Sequence, residues 1–172
     1  MTVTIDVYGT PAPEGSHKAF VNQKTGRAHI VHDSKRLAPW REAVKYAARR
    51  ATHGEQRFPS GPVRVRVTVY VRRPKSHYGT GRNAGIVKDS APLFPSTRVD
   101  LDKQVRAVFD GITDAGVWGD DSQVVMLSAH KCYADARHPG ATITIDPMDD
   151  DEVRAVFDEI TDFDPMDDDD EE

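Results

Sequence analysis

Val99 to Lys131 reads VDLDKQVRAVFDGITDAGVWGDDSQVVMLSAHK, and it sets a pair of acids at each end of one apolar run. Asp100 and Asp102 precede Val105, Val108, Phe109 and Ile112, whose spacing predicts a helix that stops at Gly116. Asp120 and Asp121 follow, just ahead of an apolar segment that predicts a strand over Val124 to Leu127. One helix therefore joins the two pairs. An acid in a first helical turn, four residues ahead of Arg106, sits well at the positive end of the helix dipole. That accounts for one acid of the four.

Four carboxylates that met in space would repel one another unless a cation held them or a proton was retained. Mg²⁺ suits such a site, because it takes one or two protein carboxylates, keeps several waters and is commonly completed by a substrate phosphate. That chemistry points to phosphodiesters. The same acids also suit local roles, with Asp100 as a helix cap and Asp120 and Asp121 in a turn before the strand. Spacing alone leaves both readings open.

At these residues the sequence resembles the RusA family of Holliday junction resolvases. The family pattern is an Asp-Leu-Asp-Asn start, a helix carrying a Lys, then Asp-Ala-Leu, a Gly, and Asp-Asp with a polar residue and Gln-Val. Its counterparts here are DLDK at 100–103, Arg106, DGI at 110–112, Gly116 and DDSQV at 120–124, in register without gaps. The resemblance implies metal-binding and catalytic acids at Asp100, Asp102 and Asp121 with Asp120 beside them, Mg²⁺ as cofactor with Mn²⁺ as a substitute, and a basic catalytic residue at Arg106. Two positions depart from the pattern, Lys103 for Asn and Arg106 for Lys. Arg clamps phosphate bidentately but does not release its proton, so Arg106 reads as an electrostatic clamp and Lys103 as a candidate proton donor or a solvated helix residue.

The resemblance further implies a homodimer acting on four-way DNA junctions in recombination and repair, and a phage or prophage origin. It implies an α+β fold: a mixed sheet of about four or five strands with two helices packed on it. The competing reading is a DNA-binding protein whose acids are structural.

Charge divides unevenly along the 172 residues. From Asp146 to Glu172 there are 15 acids and one base, Arg154, a charge of −14, while the preceding body holds 22 bases and 13 acids, a charge of +9. A basic body suits a polyanion, since Lys and Arg contacts to phosphate release condensed counterions. The start, MTVTIDVYG, lacks the basic and apolar regions of a signal peptide, and no apolar run approaches the ~18 residues of a membrane span, so a cytoplasmic protein is expected. The single Cys132 rules out an internal disulfide and a multi-cysteine zinc site. His29 and His32 lie in a strand-like stretch that would turn them to opposite faces, away from shared metal binding.

Val3 to Tyr8 alternates as a strand and is followed by the turn-rich GTPAPEGSHK. This region faces DNA in the family, which makes Lys18, Lys24 and Arg27 candidate backbone contacts. Arg27 to Val31 reads as a second strand pairing back. Ser34 is placed to cap a helix running to Ala51, with Leu37, Trp40 and Val44 on one face and Pro39 in its first turn. PVRVRVTVYVRR then alternates Val63 to Val71 inward against Arg64, Arg66, Thr68 and Tyr70, whose half-basic face could track DNA or simply be solvated.

Residues 74–97 are rich in Gly, Pro and Ser and read as a flexible basic loop, with Lys75, Tyr78, Arg82 and Lys88 as DNA contacts and Tyr78 able to stack on an unpaired base. Within it, GTGRNA matches a dinucleotide fingerprint but lacks the strand and helix around it, so no nucleotide cofactor is expected. Lys131 is a further DNA candidate, and Ala141 to Ile145 predict the last strand. The nuclease domain thus spans 1–145.

The tail, 146–172, repeats the centre: VRAVFDEITD at 153–162 copies VRAVFDGITD at 105–114 with Glu159 for Gly111, and DPMDDD occurs at 146–151 and 164–169. No DLD precedes the copy and no DDSQ follows it, which argues against a second active site. The tail's composition favours a disordered appendage; a docked helix and an acidic DNA mimic are the alternatives.

Overall fold

A computed structural model describes residues 1–14, 18–21, 28–31, 35–96 and 100–161. Strand β1 (Val3–Tyr8) buries Val3, Ile5 and Val7 and exposes the residues between them, as one wetted face requires. Strands β2 (Lys18–Val21) and β3 (Ala28–Val31) follow and pair antiparallel as a separate two-stranded sheet, so the strand expected near Arg27 pairs with its own neighbour. Helix α1 (Leu37–Thr52) has Arg36 at its N-cap position; Ser34, the expected cap, lies outside the described residues. Pro39 is the third helical residue, where a missing N–H costs no intrahelical bond.

Strand β4 (Val63–Val71), helix α2 (Leu101–Ala115), strand β5 (Val124–Tyr133), strand β6 (Gly140–Pro147) and helix α3 (Asp150–Thr161) complete the order. The main sheet runs β1-β6-β4-β5, antiparallel except for the β4–β5 pair. That parallel pair needs a crossover, which the segment holding α2 supplies. The fold is therefore α+β with a four-stranded mixed sheet and, among the described residues, three helices, of which α1 and α2 pack into the core. β5 is longer than the four residues expected because β4 pairs with it along its whole length, Val63 to Val71.

Ile5, Val65, Val67, Ile143 and Ile145 pack with Trp40, Val44 and Ala48 of α1 and Val108 and Ile112 of α2 in one core. The two helices touch at Gly111, where an added Cβ would lie 2.7 Å from Val44 Cβ, so only glycine admits this approach. α2 ends as its spacing predicts: Gly116, at φ 73°, carries its N–H to Ile112 and Thr113 carbonyls.

In the tail, β6 continues to Pro147 and residues 150–161 form α3, opened by Asp149 accepting from the Glu152 N–H. α3 buries no residue, and Phe157 and Ile160 are exposed. The segment after β4 holds 3₁₀ turns at Lys75–His77 and Gly81–Asn83 and a bridge between Tyr78 and Val87. Arg73, buried, clamps Asp135 with two bonds of 2.6 and 2.7 Å, donates to the Pro92 carbonyl and stacks 3.9 Å over the Tyr133 ring. Among the described residues no helix is long and apolar enough to cross a membrane.

Candidate active site

Helical spacing puts Asp102, Val105, Arg106 and Phe109 on one stripe of α2, beside the stripe that enters the core. Leu127 and Ala129 of β5 face this stripe, and Asp121 approaches from the 3₁₀ turn Asp121–Gln123 ahead of β5. The result is an open cleft of about 410 Å³ in which two carboxylates and a guanidinium stand among Leu101, Val105 and Phe109. Phe109 is itself braced edge-on by the buried Trp118, centroids 5.3 Å apart. Apolar walls lower the local dielectric and strengthen the field of the charges they hold.

Asp102, Arg106 and Asp121 are thus brought together, while the other two acids take local partners. Asp100 is the N-cap residue of α2, yet its carboxylate bonds Lys103 at 2.8 Å instead of the helix N–H groups. Lys103 holds the Asp100 carboxyl below its usual range, with Lys131 adding to the effect, and Asp100 raises Lys103 in return. A raised ammonium stays charged, which weakens the case for Lys103 as a proton donor. Asp120 accepts from the Ser122 N–H in a capping box completed by Gln123, and the Ser122 hydroxyl, then this backbone bond, hold its carboxyl low. Among the described residues no three His, Cys, Asp or Glu side chains are gathered as a cation cage.

The cations differ in availability. Arg106 is exposed and has no hydrogen bond or ion pair among the described residues. Lys131 shares the Leu127 and Ala129 face of β5 and lies close enough to act on Asp100. Lys75 and Arg82 are exposed on the ordered segment, but Lys88 is tied to the Ser76 carbonyl and Tyr78 reaches Asp135 at 3.5 Å. Lys18 lies in β2, described by its backbone alone, and Lys24, Arg27 and His32 fall outside the described residues. On the outer face of β4, Arg66 pairs with Asp146 at 3.0 Å and Arg64 with Glu152 at 3.6 Å, so that basic face is partly neutralised by the acidic end of the chain.

One feature beside the cleft escaped the sequence. Glu14 is buried, its N–H bonds the Lys103 carbonyl, and its carboxyl meets that of Asp110 on α2. Burial, then Glu14, push the Asp110 carboxyl up to about 6, against the pull of Arg41. The sequence signal was only the Asp110 of the motif, because Glu14 sits in a featureless turn segment. A folded value above the ordinary 3.8 means the ionised form is a burden in the fold, present above about pH 6 and relieved as pH falls toward 4. A displacement of this size is worth about 3 kcal/mol in a group fully withdrawn from water, and solvent at a partly exposed carboxyl reduces it to about 1 kcal/mol. Asp110→Asn is therefore expected to raise urea-unfolding stability by about 1 kcal/mol at pH 8, with wild type and variant converging near pH 4.

Residues 9–146 match the family described as endodeoxyribonuclease RusA. No curated protein matches the chain.

Proposed function

The chain belongs to the RusA endodeoxyribonuclease family, and on that premise we propose that it is a Mg²⁺-dependent resolvase making paired, symmetric nicks in four-way DNA junctions. The observation that carries this reading is the convergence on one cleft of Asp102 and Arg106 from α2 with Asp121 from the turn ahead of β5. The donor chemistry fits the ion: two exposed carboxylates share the cleft, and Mg²⁺ takes one or two such ligands before water and phosphate complete its shell. Asp102 and Asp121 would hold it, with Asp100 and Asp120 at the margins. When bound, the ion supplies Lewis-acid polarisation of the phosphoryl oxygens and acidifies water, and Mn²⁺ is a reasonable substitute.

The chain's own residues supply the rest. Arg106, permanently charged and without an ion pair among the described residues, clamps the non-bridging oxygens and offsets charge developing at phosphorus. Leu101, Val105 and Phe109 exclude water from the scissile bond and strengthen that interaction. Lys103 keeps Asp100 ionised, and Lys131 and Arg82 contact the DNA backbone. A two-fold symmetric junction calls for two such sites, hence a homodimer; the setting is recombination and repair, in the cytoplasm of a phage-carrying host cell.

A junction-binding protein with structural acids is the second reading, favoured by the lack of a three-ligand cluster among the described residues. A synthetic four-way junction and a linear duplex of the same sequence, each incubated with Mg²⁺ or EDTA, separate the two. Symmetric nicks in the junction alone, lost in EDTA, are expected. Tight junction binding with no cleavage under any divalent metal would overturn the nuclease in favour of the binder.

A further inference from the structure

We propose that the flank between α1 and β1 is a second nucleic-acid groove, one that takes an unpaired DNA strand. The proposal rests on the reading of DNA as the substrate and adds a site that the cleft on α2 does not contain.

α1 presents different stripes to its two sides. Arg41 and Val44 face α2, through the Arg41 pairs with Asp110 and Asp114 and the Val44 contact with Gly111. Pro39, Ala43, Tyr46 and Arg50, spaced three and four residues apart, face away from α2 and border two adjoining hollows of about 760 and 650 Å³. Tyr8 of β1 and Ala43 of α1 line both, so the hollows form one continuous groove.

Its chemistry is that of a strand-binding surface. Tyr8 and Tyr46 line the groove yet are 66% and 70% exposed, a large unburied aromatic area for a folded domain. Lys35, Arg36 and Arg72 stand at one end and Arg50 at the other. Asp6, the acid among the lining residues, is already engaged, accepting from Thr142 at 2.7 Å and lying 3.6 Å from Arg137. Cations at both ends of a groove with rings between them match the phosphates and bases of a single strand, where each stacked base is sequence-independent. A duplex would use the cations but leave both rings idle, because its bases are already stacked. An acidic peptide would do the same.

The test is fluorescence anisotropy of a labelled oligothymidylate about 16 nucleotides long, with the full chain in EDTA, so that a failure of nicking leaves the measurement valid. Tyr46→Ala and Tyr8→Ala are each expected to weaken binding roughly tenfold, while Tyr46→Phe, which keeps the ring, retains it. Arg72→Ala should reduce the slope of log affinity against log salt by about one. Affinity for a linear duplex should change less than about twofold in the tyrosine variants. Unchanged oligothymidylate binding in both alanine variants overturns the groove, and a parallel loss of duplex binding reassigns it to a duplex arm and overturns the single-strand proposal.

Discussion

Asp102→Asn is expected to lower nicking of a four-way junction by about a thousandfold or more while changing junction affinity less than about threefold. The two halves of that expectation have different physical sources. Affinity comes from many Lys and Arg contacts to phosphate, to which one carboxylate at the edge of a cleft contributes little or slightly opposes. Under the proposed mechanism the rate depends on a hard oxygen ligand, and an amide is isosteric but neutral, so the local field would change with almost no change in shape. Asp121→Asn should behave alike, since its carboxylate lines the same cleft. Asp120→Asn should not: its oxygen accepts the Ser122 N–H at 2.9 Å, a role that an amide oxygen fills. Single-turnover cleavage with Mg²⁺ and gel-shift binding in EDTA provide the two measurements. Equal losses in Asp102→Asn and Asp120→Asn would indicate that the acids act on the fold rather than on the phosphodiester.

The centre of this fold was legible because its signals are local. The period of Val105, Val108 and Ile112, the stop at Gly116 and the alternation of β4 each follow from residues a few positions apart, and all three appear as read. What was not legible depends on distant partners. The order of the segment after β4 hangs on Arg73 and Asp135, 62 residues apart, and the full length of β5 follows from its pairing with β4. Of the two-stranded sheet, β3 was read from the stretch ending at Val31, whereas β2 gave no clear periodic signal in its four residues. At the cleft, the identity of the acids could be read but their orientation could not. Lys103 diverts Asp100 through a three-residue spacing that was visible in the sequence, whereas Glu14 reaches Asp110 only because the chain after β1 returns to α2.

The repeated decapeptide supplies the second large effect: Gly111→Glu, which makes α2 identical to its copy over those ten residues, is expected to destabilise the domain by more than about 4 kcal/mol. Two costs combine at this position. An added Cβ would sit 2.7 Å from Val44 Cβ and 3.1 Å from the Arg41 carbonyl, so the helices must separate. The carboxylate beyond it would then enter a contact whose other members, Val44 and Ile112, are fully buried, with Asp110 and Asp114 already nearby on the same helix. The better helix propensity of Glu over Gly returns only about 1 kcal/mol. The reverse change in the copy, Glu159→Gly, should change the unfolding free energy by less than about 0.5 kcal/mol, because α3 buries no residue. Urea unfolding of both variants checks the pair. The asymmetry has a structural meaning: the copy carries the apolar face of α2 but not the glycine that lets α2 meet α1, so α3 cannot take its place in the core. If Gly111→Glu unfolds at the wild-type midpoint, the close helix contact is not what positions Asp102 and Arg106, and the support for the cleft must come from β5 alone.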